Sequence, residues 1–376
     1  MRILFFILLG TLTYVFALFP LALTIIGILS RKKTEPAYIP TISILIPTRN
    51  DENHIRSKIM NAIDSDYPKE KIEILVGSDG STDGTVKEIQ SFDDDRIHLT
   101  TLSKREGKTS VINKLAEQAN SDVLVMSDSD VILKPDAIKE LVKHFADPKI
   151  GAVCGNRSNP VADNKNASKG AKLYNLYEGA IKEGEGALGR VIGADGSLYA
   201  IRRQEFKPIP PNVPDDFVTI LGVLKNGNKV IYEKAAIAFE ELQNSSSDDF
   251  VRKRRTVARG IRGLLSAKAL LNPFRFPLIS FLLISHKIVR WFAGIIMLIL
   301  FVTNALLISQ PLFLYFFFAQ LVFYTMVISE KLFRKTIFAK LFKILRYFTL
   351  TNIAAGMGLI DVLRGKEWLF WDMRKS

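Results

Sequence analysis

The sequence predicts an α/β domain on a largely parallel sheet, held between apolar helices that cross a membrane. Three observations carry this. Strand-like and helix-like segments alternate from Thr41 to about Ala238. Two long stretches, Ile3 to Ser30 and Trp291 to Ser329, hold no charged side chain. Acidic turns follow three of the apolar strands.

The chain has 376 residues, 51 Lys and Arg, 38 Asp and Glu, and a net charge of +13. A positive mean hydropathy beside that many charges requires segregation of apolar from polar residues. One cysteine, Cys154, excludes a disulfide framework and a Cys-rich zinc site. Charged residues at 24% exclude bulk disorder. No aromatic-plus-basic motif of known spacing points to nucleic acid. The excess positive charge gathers beside the apolar stretches, where anionic lipid would meet it.

Ile3 to Ser30 exceeds the about 20 residues that span a bilayer core. It is too long for the apolar part of a cleaved leader, and Arg31-Lys32-Lys33 follows directly. Residues 1–30 therefore read as a transmembrane helix, with the next domain, 38–245, in the cytoplasm. Trp291 to Ser329 would be roughly 58 Å long as one helix, about twice a bilayer core. Gln310-Pro311 breaks it, so 288–330 reads as two spans. Residues 246–287 read as a basic linker ending in an interfacial stretch, Phe276 to Ile284. Residues 331–376 are basic, and 344–362 is expected to be an interfacial, re-entrant or further transmembrane helix. The whole is a multi-pass protein of the cell membrane.

Within the domain, Ile42 to Ile46, Ile72 to Val76 and Asp122 to Met126 are apolar, β-rich runs. Val111, Leu115 and Ala119 recur at helical spacing between them. This alternation implies parallel strands with right-handed crossovers, and ligands bind beyond the carboxyl ends of such strands. The first strand leads into Pro47-Thr48-Arg49-Asn50-Asp51-Glu52. The second leads into Ser78-Asp79-Gly80-Ser81-Thr82-Asp83-Gly84-Thr85, and the third into Ser127-Asp128-Ser129-Asp130. Turns and helix caps would explain one such segment but explain three less well. Gly77, Gly80 and Gly84 lack dinucleotide spacing, and Leu102 stands where a P-loop before Lys108 needs glycine. Asp128 and Asp130, with one residue between them on a turn, can engage a hard cation such as Mg2+ or Mn2+ together with substrate phosphates.

These motifs resemble the membrane-bound family 2 glycosyltransferases, the group that includes bacterial polysaccharide, hyaluronan and cellulose synthases. Their catalytic domain has the GT-A fold. The resemblance covers roughly Thr41 to Gly263 and extends into the apolar segments. The Asp79 loop is similar to the family's D-D-G-S-T-D-G-T, with Ser78 in place of the first Asp. Arg105 to Asn113 is similar to its R-x-G-K segment, and Asp128-Ser129-Asp130 to its D-x-D. The resemblance implies that Pro47, Thr48, Asp51, Asp79, Lys108 and Asp128 bind the nucleotide-sugar donor, and that Asp130, with Asp128, ligates the cation. Pro214-Asp215-Asp216-Phe217 resembles the family's E-D motif, which makes Asp216 the expected general base and Asp215 the fallback. A helix cap is the competing role. Gly193 to Ala200 matches a segment near the acceptor, so Asp195 is expected to touch acceptor.

Arg252-Lys253-Arg254-Arg255 through Arg259-Gly260 is either a lipid-facing patch or a clamp on the donor diphosphate. Arg252 and Arg255 are the clamp candidates. Processive members carry Q-x-x-R-W here, and this chain has neither the Gln nor the Trp. Ser285 to Trp291 resembles a segment of polysaccharide-forming members and is expected to anchor a helix at the interface.

The implied activity is metal-dependent, inverting transfer of a sugar from a nucleotide sugar, foremost a UDP-sugar, to a lipid-linked or polysaccharide acceptor. Transfer to a polyprenyl phosphate is the nearest alternative. A nucleotidyltransferase would leave Asp215 and Asp216 without a role. A catalytically silent membrane scaffold is the alternative from another class.

Overall fold

The computed structural model describes residues 1–30, 38–158, 169–240, 246–332, 336 and 339–368. The basic clusters Arg31-Lys32-Lys33, Arg334-Lys335 and Arg374-Lys375, which bear on orientation, lie outside the described residues.

Eight strands form one sheet: β1 Ile42–Thr48, β2 Ile72–Ser78, β3 Ile97–Thr101, β4 Val123–Met126, β5 Val131–Leu133, β6 Ile150–Ser158, β7 Tyr199–Arg202 and β8 Lys229–Glu240. Their order is β3-β2-β1-β4-β7-β6-β8-β5. The first four are parallel, as the alternation predicts. Beyond them the sheet is mixed, because β7 runs antiparallel to both β4 and β6. Apolar runs report burial but not strand direction, so this reversal was not legible in them.

Side chains alternate across the pleat. Ile42, Ile44 and Ile46 of β1 join one core, with Ile55 and Ile59 of the Ile55–Ile63 helix and Leu141 of the Ala137–Val142 helix. Leu45 faces the other core, with Val111 and Leu115 of the Lys108–Gln118 helix and Ile220 and Leu224 of the Asp215–Lys225 helix. Each fully buried aliphatic side chain contributes about 1.5–3 kcal/mol. The second core also takes Phe19 and Leu23 from the N-terminal apolar helix, and Ile279 and Leu282 from a later one. The apolar helices therefore share a core with the sheet.

Among the described residues, three helices are long and apolar enough to cross a bilayer: Arg2–Leu29, Pro277–Ala305 and Pro311–Ile328. The Phe276 to Ile284 stretch, expected to lie apart in the interface, forms the first turns of the second of these. A single π-turn at Ile284–Ile288 carries the backbone through without a break. The expected 344–362 segment lies within a longer helix, Ala339–Leu363, packed against the basic Ser246–Ser266 helix. Gly184 of the Lys169–Ala187 helix sits so close to the first apolar helix that a Cβ there would lie 2.2 Å from the Leu23 carbonyl oxygen. The hydroxyls of Tyr14 and Ser285, 2.8 Å apart, tie the first two apolar helices together.

Candidate active site

The carboxyl ends of β1 and β4 open onto a cavity of about 420 Å3. Its walls also come from the Lys169–Ala187 helix, the 193–197 loop, the start of the Asp215–Lys225 helix and the Ser246–Ser266 helix. Nine of the residues singled out from sequence line it: Pro47, Lys108, Asp128, Asp130, Asp195, Asp215, Asp216, Arg252 and Arg255.

Lys108 begins its helix directly after Gly107, whose φ of 99° suits glycine and few other residues. Its Nζ lies 2.7 Å from Asp128 and 3.2 Å from Asp215. Burial works against its charge, but Asp128 and Asp215 outweigh it and hold the ammonium above its ordinary range. Burial pushes the Asp128 carboxyl up; Lys108 opposes this, Asp130 and Asp215 add to it, and the result is about 7. Asp215 and Asp216 are the first two residues of their helix, and Pro214 occupies the cap position. The acids therefore face the cavity from a helix N-terminus, a site that favours negative charge. Burial, then repulsion from Asp215, raises Asp216 to about 6.

These groups converge on one point. A Cβ at Gly196 would lie 3.3 Å from Asp128 Oδ2, 3.4 Å from Lys108 Nζ and 3.7 Å from Asp216 Oδ2. Only a residue without a side chain leaves that point open to a substrate.

The remaining predicted residues divide. Asp195 receives Lys182 at 2.6 Å. Burial opposes its ionisation, but Lys182 and Arg157 prevail and hold it at about 2. Arg252 is engaged by Asp249 at 2.9 Å and Glu240 at 3.5 Å. Thr48, Asp51 and Asp79 are buried away from the cavity wall. Both Asp79 oxygens accept backbone N–H bonds from the loop before Lys108, from Glu106 at 2.7 Å and Gly107 at 3.0 Å. Asp51 Oδ1 accepts from His54 Nδ1 at 2.8 Å. These residues brace the loops that follow β1 and β2 and the loop before Lys108.

Several lining or supporting groups were not singled out from sequence. Lys58 is fully buried and donates to Ser127 Oγ at 2.7 Å and to the Val131 carbonyl at 2.8 Å, on either side of the Asp128–Asp130 turn. Burial lowers it to about 7, although Asp128 and Asp130 pull it upward. Arg259, already part of the basic segment read as a lipid patch or clamp, donates to the Val213 carbonyl, while its buried Nε has no partner among the described residues. Glu178 and Lys182 fall four apart on one helix, and that spacing is a signal only once the helix is known to face the cavity. Lys287 and Trp291, from the stretch expected to anchor at the interface, also reach the wall. Among the described residues no group of three His, Cys, Asp or Glu side chains could hold a metal ion alone.

Residues 43–207 match the family model described as Glycosyl transferase family 2. A poly-beta-1,6-N-acetyl-D-glucosamine synthase of Staphylococcus epidermidis is 25% identical over 182 residues, covering 47% of this chain and 43% of that protein. An N-acetylglucosaminyltransferase of Rhizobium leguminosarum bv. viciae is 29% identical over 136 residues, covering 35% of this chain and 32% of that protein. The matched part thus spans less than half the length of either relative. In three dimensions the chain resembles a mannosyltransferase of Pyrobaculum calidifontis, solved in complex with GDP-Man and Mn2+, with a TM-score of 0.74 and 20% identity over 97% of this chain and 100% of that one. Together with the sheet and the order of its motifs, these likenesses show that residues 43–207 carry a family 2 glycosyltransferase domain and that the fold is GT-A.

Proposed function

We propose that this protein transfers a sugar, with inversion, from a nucleotide sugar to a lipid-linked or polysaccharide acceptor at the membrane. The convergence of Asp128, Lys108 and Asp216 on the space beside Gly196 carries this reading. A donor bound across the strand ends would present its diphosphate to Lys108 and its sugar to that space. Asp216 takes the proton of the acceptor hydroxyl as that oxygen attacks the sugar in line. A base held near 6 is ionised at neutral pH, yet basic enough to accept the proton. Asp195, held ionised by Lys182, bounds the acceptor side. Arg255 and Arg259 supply positive charge opposite the leaving group.

Asp130 and Asp128 suit a divalent cation of the Mg2+ or Mn2+ kind. They offer hard oxygen ligands, Asp128 resists ionisation without a compensating charge, and such ions fill their remaining positions with substrate phosphate and water. When bound there, the ion would neutralise the developing diphosphate. A UDP-sugar is the expected donor. The Lys and Arg residues flanking the spans support a cytoplasmic catalytic domain.

The reading is tested by incubating the purified full chain with a panel of nucleotide sugars and either cation. Cation-dependent release of one nucleoside diphosphate, lost in Asp130→Asn, is expected. No release and no binding of any nucleotide sugar, with membrane lipid extract supplied as acceptor, would transfer the case to the scaffold reading.

A further inference from the structure

A second cavity, of about 330 Å3, adjoins the first. Phe16 of the first apolar helix, Tyr177, and Tyr347 and Phe348 of the Ala339–Leu363 helix give it an apolar, aromatic wall. Tyr174, Glu178, Lys253, Thr256, Lys287 and Trp291 line both cavities, so the two meet along a shared seam.

The seam carries uncompensated positive charge. Its carboxylate, Glu178, already accepts from Arg290 and bonds His286 at 3.1 Å. Lys253 Nζ lies 4.1 Å over the Tyr174 ring, and Lys287 Nζ 6.0 Å from the centre of the Phe217 ring. Among the described residues neither ammonium has a hydrogen-bond or ion-pair partner. Burial, then Arg157 and Arg252, press Lys253 down to about 7, which an anion between the lysines would reverse. Half-buried cations without a partner are costly, and an aromatic face offsets only part of that cost.

Two of the helices long enough to cross a bilayer border the second cavity, one through Phe16 and the other through the stretch from His286 to Trp291. Its occupant is therefore drawn from the membrane and carries a hydrocarbon chain. A donor diphosphate could use the lysines, but it would leave the aromatic wall bare.

We infer that the seam binds an anionic lipid, with its phosphate between Lys253 and Lys287 and its chain in the second cavity. This rests on the transferase reading above and deepens it. The lipid is the anchor that carries the acceptor group over Trp291 into the cavity of Asp216.

The test is equilibrium binding of radiolabelled dodecyl phosphate to the full chain in neutral maltoside detergent, with UDP and GDP binding measured in parallel. Wild type is expected to bind dodecyl phosphate, with neither dodecanol nor inorganic phosphate displacing it at equal concentration. The Lys253→Gln, Lys287→Gln double variant should bind it at least about tenfold more weakly. Thr351→Phe, which fills the apolar wall without touching charge, should weaken it as well. Two results overturn the inference: equal displacement by inorganic phosphate, or lysine variants that lose nucleotide affinity while keeping dodecyl phosphate. If wild type binds dodecyl phosphate but no nucleotide or nucleotide sugar, the lipid site stands and the transferase reading fails.

Discussion

Lys108 Nζ lies 2.7 Å from Asp128 Oδ1 and reaches Asp215 at 3.2 Å, so one ammonium joins the turn after β4 to the helix that carries the proposed base. Lys108→Met would leave two crowded carboxylates facing each other. The expected loss of stability is roughly 2–3 kcal/mol, below the full cost of breaking a buried pair because solvent reaches part of Asp128. Nucleotide binding should weaken in the same variant. Thermal melts in detergent and nucleotide titrations check both. Unchanged melting would mean that the pair contributes nothing to the fold.

The raised carboxyl of Asp216 sets a pH dependence. Its value moves from the ordinary 3.8 to about 6, so the folded chain holds this proton more tightly than the unfolded chain. Stability from this group therefore falls as pH rises from about 4 to about 6 and is level above that. Transfer runs the other way, because the base acts only when ionised. The rate should climb with pH through about 6. Asp216→Asn should abolish that limb and lower transfer about 10²–10⁴-fold. A pH–rate profile at saturating donor measures this.

The local motifs made much of the site legible. β1, β2 and β4 announced themselves as β-branched runs, and the strand-end rule pointed to the acids that follow them. Asp128, Asp130, Asp215 and Asp216 could be named because their neighbours in sequence define their setting. Lys58, Glu178 and Lys182 could not, because each meets its partner only through the fold. Lys58 finds Ser127 across 69 positions, and Glu178 finds His286 across 108. Asp79 shows the opposite limit: a loop acid reads the same whether it faces a ligand or braces its neighbours. The strand reversal at β7 and the continuous Pro277–Ala305 helix are likewise set by packing partners that no local pattern reveals.

Gly196 gives a geometric test of the convergence point. Gly196→Ala would put a methyl 3.3 Å from Asp128 and 3.4 Å from Lys108 without a backbone clash. Stability should change by less than about 1 kcal/mol, as for most substitutions that create neither a cavity nor an unpaired buried group. Turnover should fall on the order of 10²-fold, as misplacement by about 1 Å does. Comparing melts with kcat separates the two. Full activity would place the reacting sugar elsewhere.

Asp79 distinguishes bracing from contact. Asp79→Ala would orphan the Glu106 and Gly107 amides, costing about 1–3 kcal/mol for each that stays buried. Asp79→Asn keeps one acceptor oxygen and should melt between wild type and Asp79→Ala. Donor KM should rise in step with lost stability, because the same loop carries Lys108. An Asp79→Ala protein that melts like wild type but fails to bind nucleotide would instead assign Asp79 to the ligand.

The most direct measurement compares wild type with Asp216→Asn for two quantities on one preparation: donor affinity and rate of sugar transfer, with the anomeric configuration of the product read by NMR. The account predicts inverted product from wild type, and donor affinity within about twofold but almost no transfer from Asp216→Asn, since the base acts only on the acceptor proton. Transfer at the wild-type rate by Asp216→Asn, or retained configuration in the product, would contradict it.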